Sequence, residues 1–231
     1  MKLGLAVVLG ILLLVSQVYA QDVVLKNQKD KISYSIGIDI GMTLKNQSID
    51  IDPAILARGI RDSMSGQKPL MTEQEIRETL STFQKEMMAK QQELAKQAGE
   101  KNKKEGEVFL AENKKKEGVK TLPSGLQYKV IKAGTGKKPK ATDTVTVNYR
   151  GTLVNGTEFD SSYKRGKPAT FPVNGVIPGW TEALQLMEEG ANWQVFIPGN
   201  LAYGERGAGG QIGPNAALIF EVELISVQEK K

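Results

Sequence analysis

Glycine and proline are concentrated in the second half of this chain of 231 residues. From Gly118 onward lie 16 of its 24 glycines and 7 of its 9 prolines. Both residues weaken the interior of a helix, so long helices are expected only before Gly118. The sequence therefore predicts two parts of opposite character, a helical part and then a part built of short strands and turns.

The composition restricts the chemistry that the chain can carry. It contains no histidine and no cysteine, and its 31 basic residues exceed its 26 acidic residues by five. Without these two side chains there are no disulfides, cysteine nucleophiles, Ser-His-Asp triads or Cys/His zinc sites. Any reaction must use carboxylates, lysine, tyrosine, hydroxyls, backbone amides or the shape of a dry pocket. We expect neither a metal nor a cofactor.

Residues 1–20 have the pattern of a secretory signal peptide. An apolar run from Leu3 to Val15 follows Lys2, and Val18-Tyr19-Ala20 is typical of a cleavage site. The alternative is an uncleaved membrane anchor, but the run is shorter than the roughly 20 residues that a membrane span needs. We expect an exported protein that is cleaved near Ala20. In a bacterium with two membranes it would lie in the periplasm, and association with the outer membrane stays open.

Two short helices are predicted in residues 21–71. Asp30 is placed to cap the first helix, and Asp52 caps the second with Pro53 at its first helical position. Ser65-Gly66 ends the second helix. Apolar residues recur at one-turn spacing in the first helix: Ile32, Ile36, Ile40 and Leu44.

A row of small residues, Ser33, Gly37 and Gly41, runs beside the apolar residues of the first helix. Each glycine inside a helix costs about 1 kcal/mol relative to alanine, so a close approach to another helix should compensate. Packing within the chain and contact between two copies explain this row equally well.

A single long helix is predicted over residues 72–117. Thr72 and Glu75 form a capping box, and no proline follows before Gly118. About 46 residues would span roughly 70 Å. The first half has an apolar stripe, whereas residues 97–117 are mostly charged and are predicted to be a solvated spacer. Three lysines at 114–116 could suggest nucleic-acid binding, but interleaved glutamates favour a solvated helix end, and we expect no nucleic-acid partner.

After Gly118 the apolar period changes to two. Residues 144–149 and 218–224 alternate between apolar and polar side chains, which predicts half-buried antiparallel strands. A short helix is predicted from about Gly179 to Glu189, with Trp180, Leu184 and Met187 on one side. The pattern indicates an α+β domain in which a curved antiparallel sheet wraps around this helix.

Four sequence blocks in this part carry a resemblance to a known family. In chain order they are Val147-Asn148-Tyr149-Arg150-Gly151, Phe159-Asp160-Ser161-Ser162, Val176-Ile177-Pro178-Gly179-Trp180 and Ala202-Tyr203-Gly204. Residues 122–227 resemble FKBP-type peptidyl-prolyl cis-trans isomerases. Upstream, the chain is similar to the dimerising part of the two-domain, Mip-like and FkpA-like exported bacterial members. The resemblance implies a helical homodimerisation region at 21–71, a connecting helix at 72–117 and an FKBP-like isomerase domain at 118–231.

The resemblance also implies roles for single residues. Trp180 would form the floor under a substrate proline, the Ile177 amide and the Tyr203 hydroxyl would donate to the substrate carbonyl, and Asp160 would direct its carboxylate towards the carbonyl carbon or orient its neighbours. Arg165 would hold Asp160 ionised through a paired bond. The other expected substrate-binding residues are Tyr149, Phe159, Phe171, Val176, Ile212 and Phe220. Each apolar residue has an alternative as ordinary core, and Asp160 as a turn cap with the serines that follow it.

The activity that the resemblance implies agrees with a chain without histidine or cysteine. Rotation about an X-Pro bond must overcome the resonance of the amide, a barrier of about 20 kcal/mol, and needs no proton transfer. A dry aromatic pocket can lower it by binding the twisted amide better than the planar one. The expected partners are unfolded or exported polypeptides that contain proline, and macrolide-type inhibitors are expected to enter the same pocket.

Two alternatives to an isomerase remain open at this stage. One is a non-catalytic chaperone that holds unfolded chains with the same cleft and with the arms of a dimer. The other is a structural spacer, which requires that the aromatic cleft be filled by its own side chains.

Overall fold

The computed structural model describes residues 24–229, so the predicted signal peptide lies outside the described residues. The chain divides after Thr72 into two compact units. Within the described residues, every helix is too short or too polar to cross a membrane.

The first unit contains two helices, α1 (Gln28–Asn46) and α2 (Pro53–Ser65). Helix α2 begins and ends as predicted: the Asp52 carboxylate accepts from the Ala54 amide at 2.7 Å, and Gly66 ends the helix with a φ of 66°. This positive φ is one that glycine adopts without strain.

The predicted cap of α1 is wrong. Asn27 is the N-cap, and its side chain accepts from the Asp30 amide at 3.0 Å. Asp30 lies in the first turn, where a carboxylate is stabilised by the helix dipole, and it accepts from the Lys26 amide at 2.9 Å. Asparagine and aspartate cap helices about equally well, so the one that comes first in the chain begins the helix.

The apolar side chains of this unit stay largely exposed. No residue of α1 is buried, and Ile32 and Ile36 remain half exposed. A β-carbon added at Gly37 or Gly41 would meet nothing within 4 Å. Both glycines instead line an apolar groove of about 390 Å³ between α1 and α2. Within the described part of the chain, therefore, no neighbouring element packs closely against these two glycines.

The second unit begins with the long helix α3 (Glu73–Asn113), whose 41 residues span about 60 Å. It starts at the predicted capping box but ends four residues earlier than predicted. The prediction that its second half is a solvated spacer is wrong, because Gly99, Gly106 and Asn113 are buried. Glycine and asparagine occupy the buried positions of this docked face, and neither contributes to an apolar stripe.

The rest of the second unit is a curved antiparallel sheet around a short helix, which confirms the predicted α+β class. Its strands are β1 (Val119–Thr121), β2 (Gln127–Lys132), β3 (Thr144–Leu153), β4 (Glu158–Ser161), β5 (Ala169–Pro172), β6 (Asn192–Ile197) and β7 (Leu218–Gln228). The sheet order is β1-β2-β6-β7-β3-β4, with β5 paired to β3.

The short helix α4 (Pro178–Leu186) packs its buried side against the sheet. Trp180 and Leu184 are buried on this helix, and Met187, which caps its C-terminus, is fully buried. Helix α4 therefore ends slightly before the predicted Glu189. Alternate residues of β3 and β7 point into the same core, as their two-residue period predicted. The core thus fixes the first turn of α4 against the ends of β3 and β7.

Candidate active site

A cavity of about 400 Å³ opens between the sheet and the first turn of α4. Its walls are mostly aromatic, and the cavity is not filled by the chain's own side chains, as the structural-spacer alternative would require. The residues that line it are Tyr149, Phe159, Asp160, Phe171, Gly175, Val176, Ile177, Trp180, Tyr203 and Phe220. All of these except Gly175 are site residues predicted from the sequence.

Trp180 is held rigidly beneath this cavity. Its ring lies 5.2 Å from those of Tyr149 and Phe220, at interplanar angles of 88° and 83°, and 5.9 Å from that of Phe171 at 85°. Such edge-to-face pairs contribute about 0.5–1.5 kcal/mol each beyond the area that they bury. Because Trp180 lies in the first turn of α4, directly after Pro178-Gly179, the helix also fixes its backbone. The cavity therefore has a rigid aromatic floor.

A close approach of backbone and rings shapes the cavity wall formed by Phe159 and Phe220. A β-carbon at Gly151 would lie 2.7 Å from ring atoms of both Phe159 and Phe220. Only a residue without a side chain leaves these two rings in place. The two rings meet edge to face at 5.5 Å.

One charged group borders the aromatic walls. The Asp160 carboxylate accepts from the Tyr149 hydroxyl through one oxygen and from the Arg165 guanidinium through the other. Arg165 Nη2 also donates to the Tyr149 hydroxyl oxygen at 2.7 Å. The structure thus contains the Asp160–Arg165 pair predicted from the sequence. It adds Tyr149, which the β3–β4 register brings into reach by pairing Gly151 with Asp160.

This network sets the protonation of both acidic groups. Partial burial raises the pKa of Asp160, but the hydrogen bonds from Tyr149 and Arg165 outweigh burial and leave that pKa below its ordinary value. Burial, and then the hydrogen bond to the Asp160 carboxylate, raise the pKa of the Tyr149 hydroxyl. At neutral pH Asp160 is therefore ionised and Tyr149 keeps its proton.

The serines after Asp160 have structural contacts of their own. Ser162 is fully buried, and its hydroxyl accepts from the Tyr149 amide at 2.9 Å. The Ser161 hydroxyl accepts from the Lys164 amide at 3.4 Å. The serines thus hold the turn, while the Asp160 side chain bonds to Tyr149 and Arg165.

Two predicted donors are available at the cavity. Ile177 is the N-cap of α4, and its amide donates to no acceptor within residues 24–229. Tyr203 is 41% exposed, and its hydroxyl likewise has no hydrogen-bond partner among the described residues. Both donors can therefore bond to a carbonyl oxygen that enters the cavity.

Two predicted site residues do not line the cavity. Arg165 reaches it only through Asp160 and Tyr149. Ile212 is buried in the hydrophobic core, and its amide donates to the Ala208 carbonyl at 3.0 Å, so it anchors the glycine-rich loop of residues 204–214 from within. Gly175, which sequence reasoning missed, lines the cavity directly before the Val176-Ile177 block. The only signal for Gly175 in the sequence was its place directly before that block.

Comparison with known proteins agrees with this fold and cavity. Residues 29–130 match the domain amino terminal to FKBP-type peptidyl-prolyl isomerase, and residues 135–225 match the FKBP-type peptidyl-prolyl cis-trans isomerase family. Outer membrane protein MIP of Legionella longbeachae is 53% identical over 229 residues, which cover 99% of this chain and 98% of that protein. Peptidyl-prolyl cis-trans isomerase Mip of Coxiella burnetii is 50% identical over 206 residues, covering 89% and 90% of the two chains.

A solved structure shows the same architecture. The crystal structure of FkpA from Escherichia coli matches with a TM-score of 0.69 at 38% identity, covering 89% of this chain and 99% of that one. The fold and the cavity define an enzyme of the prolyl isomerase class. The chain belongs to the FKBP-type peptidyl-prolyl cis-trans isomerase family, as its four sequence blocks indicated.

Proposed function

We propose that this isomerase accelerates rotation about X-Pro bonds by binding the twisted amide in the cavity above Trp180. The observation that carries the proposal is an open aromatic cavity bordered by an ionised carboxylate and by two donors that have no partner among residues 24–229. The barrier arises from amide resonance, which the twisted state has lost. Each 1.36 kcal/mol by which the cavity favours the twisted amide over the planar one raises the rate about tenfold.

The cavity residues would have different roles in this rotation. The proline ring would rest on the Trp180 indole, where the apolar walls exclude water that stabilises the planar, more polar amide. The Ile177 amide and the Tyr203 hydroxyl would donate to the carbonyl oxygen as it turns out of conjugation. Asp160 would fix the Tyr149 wall and hold a negative charge at the rim. No step requires proton transfer, in keeping with a chain that lacks histidine.

The experiment that tests this function is an exchange measurement on a short Leu-Pro or Phe-Pro peptide. Two-dimensional NMR exchange reports the cis-trans rate directly at equilibrium, with and without the purified chain. We expect a catalysed rate that saturates with peptide concentration and is suppressed by a macrolide-type inhibitor. An exchange time that stays at its spontaneous value of tens of seconds or longer would contradict the proposal.

The pH profile is expected to be flat between about pH 5 and about pH 9, because no group in the network titrates there. The pKa of Asp160 is lowered, so its carboxylate is fully charged above the ordinary pKa of an aspartate. The stability that this charge contributes is lost only as the pH falls through the lowered pKa. Tyr149 has a raised pKa, so its proton is lost only as pH rises through that higher value. Exchange rates measured across this range test both limits. A bell-shaped pH profile centred near pH 6.5 would contradict the ionisation states assigned to Asp160 and Tyr149.

We infer that two copies of the chain associate through α1 and α2. The apolar row of α1 is exposed, the glycines beside it have open space, and the groove between the helices is apolar. Packing within the described chain, the other explanation of the glycine row, leaves these surfaces uncovered. The match of residues 29–130 to the domain that precedes FKBP-type isomerases supports a shared role for this region.

Ile36→Glu is expected to separate the two copies. Ile36 lies in the exposed apolar row, and a carboxylate there would be desolvated in the contact. Sedimentation velocity should show the mass of the chain falling to half, whereas Ser35→Glu, one position along on the polar side of α1, should leave it unchanged. A monomeric mass for the unmodified chain would contradict the association.

We further infer that the protein is exported and works in the cell envelope. The pattern of residues 1–20 supports this, with cleavage near Ala20. A close relative carries the name outer membrane protein, which agrees with an envelope location. Exported polypeptides that contain proline would then be its substrates.

A further inference from the structure

The second half of α3 is docked on the isomerase domain, on the outer face of the sheet. The ring of Phe109 lies 5.9 Å from that of Phe196 in β6. Asn113 is buried and donates through Nδ2 to Gln127 Oε1 in β2 at 2.9 Å, and Gln127 Nε2 donates to the Leu110 carbonyl at 2.9 Å. The helix therefore covers a surface that would otherwise face solvent.

One turn of α3 also contacts the end of the glycine-rich loop that follows Tyr203. Asn102 Nδ2 donates to the Pro214 carbonyl at 2.8 Å. On either side of Asn102 the approach is close: a β-carbon at Gly99 would lie 3.2 Å from Pro214 Cβ, and one at Gly106 would lie 2.9 Å from Ala217 Cβ. The absence of side chains at both positions lets the helix reach the loop.

The loop end that α3 contacts is joined to the backbone beside Tyr203. The Asn215 amide donates to the Gly204 carbonyl at 2.7 Å, which closes the base of the loop one residue after Tyr203. Asn215 has a φ of 54°, in the left-handed region that asparagine adopts more readily than most other residues. Its carbonyl packs so tightly on Gly199 that a β-carbon there would lie 2.4 Å away. The segment is thus clamped between α3 and the Gly199 turn.

We propose that Asn102 is a positioning residue for the isomerase reaction: by fixing the base of the loop from α3, it places the Tyr203 hydroxyl at the cavity. This inference rests on the proposed function, because it assigns to Tyr203 a donor role in that reaction. The buried Ile212 and its bridge to Ala208 fix one part of the loop, but the backbone next to Tyr203 supplies little rigidity of its own. Gly204, Gly207, Gly209 and Gly210 all have positive φ values and allow many backbone conformations. The linker helix is therefore part of the active-site scaffold.

The test compares two amide donors on the docked face of α3. Asn102→Asp removes the donor to Pro214 while keeping the side-chain shape. Asn113→Asp removes the donor to Gln127 and touches the sheet, not the loop. We expect Asn102→Asp to lower kcat/KM for a Leu-Pro peptide about three- to tenfold, the worth of one hydrogen bond, and Asn113→Asp to change it less than twofold. Asn102→Ser, which also lacks the amide, should reproduce the loss.

A double-mutant cycle with Tyr203→Phe separates positioning from general weakening of the fold. If Asn102 acts through the Tyr203 hydroxyl, Asn102→Asp should change kcat/KM less than twofold in the Tyr203→Phe chain. Hydrogen exchange of the Asn215 amide should accelerate in Asn102→Asp and not in Asn113→Asp. Equal losses in both backgrounds, or an Asn102→Asp chain as active as the unmodified one, would overturn the inference. An inactive unmodified chain would instead overturn the proposed function.

Discussion

Replacing Asp160 with asparagine is expected to lower kcat/KM for a Leu-Pro peptide by roughly 10- to 100-fold. The amide keeps the shape of the side chain but removes the charge that accepts from Tyr149 and Arg165. Hydrogen bonds to charged groups contribute about 1.5–3 kcal/mol, and each 1.36 kcal/mol is tenfold in rate. The pair is partly exposed to solvent, so the variant should cost the fold little stability.

The matched control for this variant lies on the same strand. Glu158 pairs with Lys164 at 2.9 Å, and it does not line the cavity. Glu158→Gln therefore removes one carboxylate charge from β4 without touching the network. NMR exchange rates of the two variants should differ by at least tenfold. Equal rates would show that the Asp160 carboxylate has no part in the reaction.

Asp160→Asn also distinguishes an isomerase from a chaperone that only holds unfolded chains. A holding activity depends on apolar surface, which Asp160→Asn leaves in place. Suppression of aggregation should therefore persist in this variant while prolyl turnover falls. A parallel loss of both would indicate that holding and catalysis use the same charged group.

Replacing Leu184 with alanine is expected to destabilise the isomerase domain by about 2–5 kcal/mol. Leu184 is 1% exposed on the buried side of α4, and its loss leaves a cavity beneath the helix that carries Trp180. For a unit of this size the thermal midpoint should fall by roughly 4 to 20 °C.

Leu186→Ala is the control for this prediction, because Leu186 lies on the same helix but is 38% exposed. Calorimetry should show a shift of less than about 3 °C for this variant, since surface substitutions usually cost little. Similar shifts in the two variants would contradict the packing of α4 against the sheet.

The sequence predicted well those elements whose signals are local. Asp52 and Gly66 bound α2 because capping depends on a few adjacent residues. The alternating residues of β3 and β7 identify the inner face of the sheet, since a strand presents every second side chain to one side. Most of the cavity lining also followed from the sequence, through the resemblance of its four blocks.

The sequence could not predict contacts that depend on tertiary geometry. The bond from Tyr149 to Asp160 needs the register of β3 and β4, which no local pattern fixes. The docking of α3 uses Gly99, Asn102 and Gly106, and such residues give no apolar stripe, so hydropathy indicated a solvated helix. A buried row of small and amide residues is therefore a signal of close packing that periodicity of apolar residues does not detect.

Catalysis depends on the cavity above Trp180 favouring a twisted prolyl amide. The most direct measurement is the cis-trans exchange rate of a Leu-Pro peptide with catalytic amounts of the unmodified chain and of Trp180→Leu. We predict exchange well above the spontaneous rate for the unmodified chain, and a loss of most of that acceleration in the variant at unchanged secondary structure. Exchange at the spontaneous rate with the unmodified chain, or equal acceleration by both proteins, would contradict the central claim.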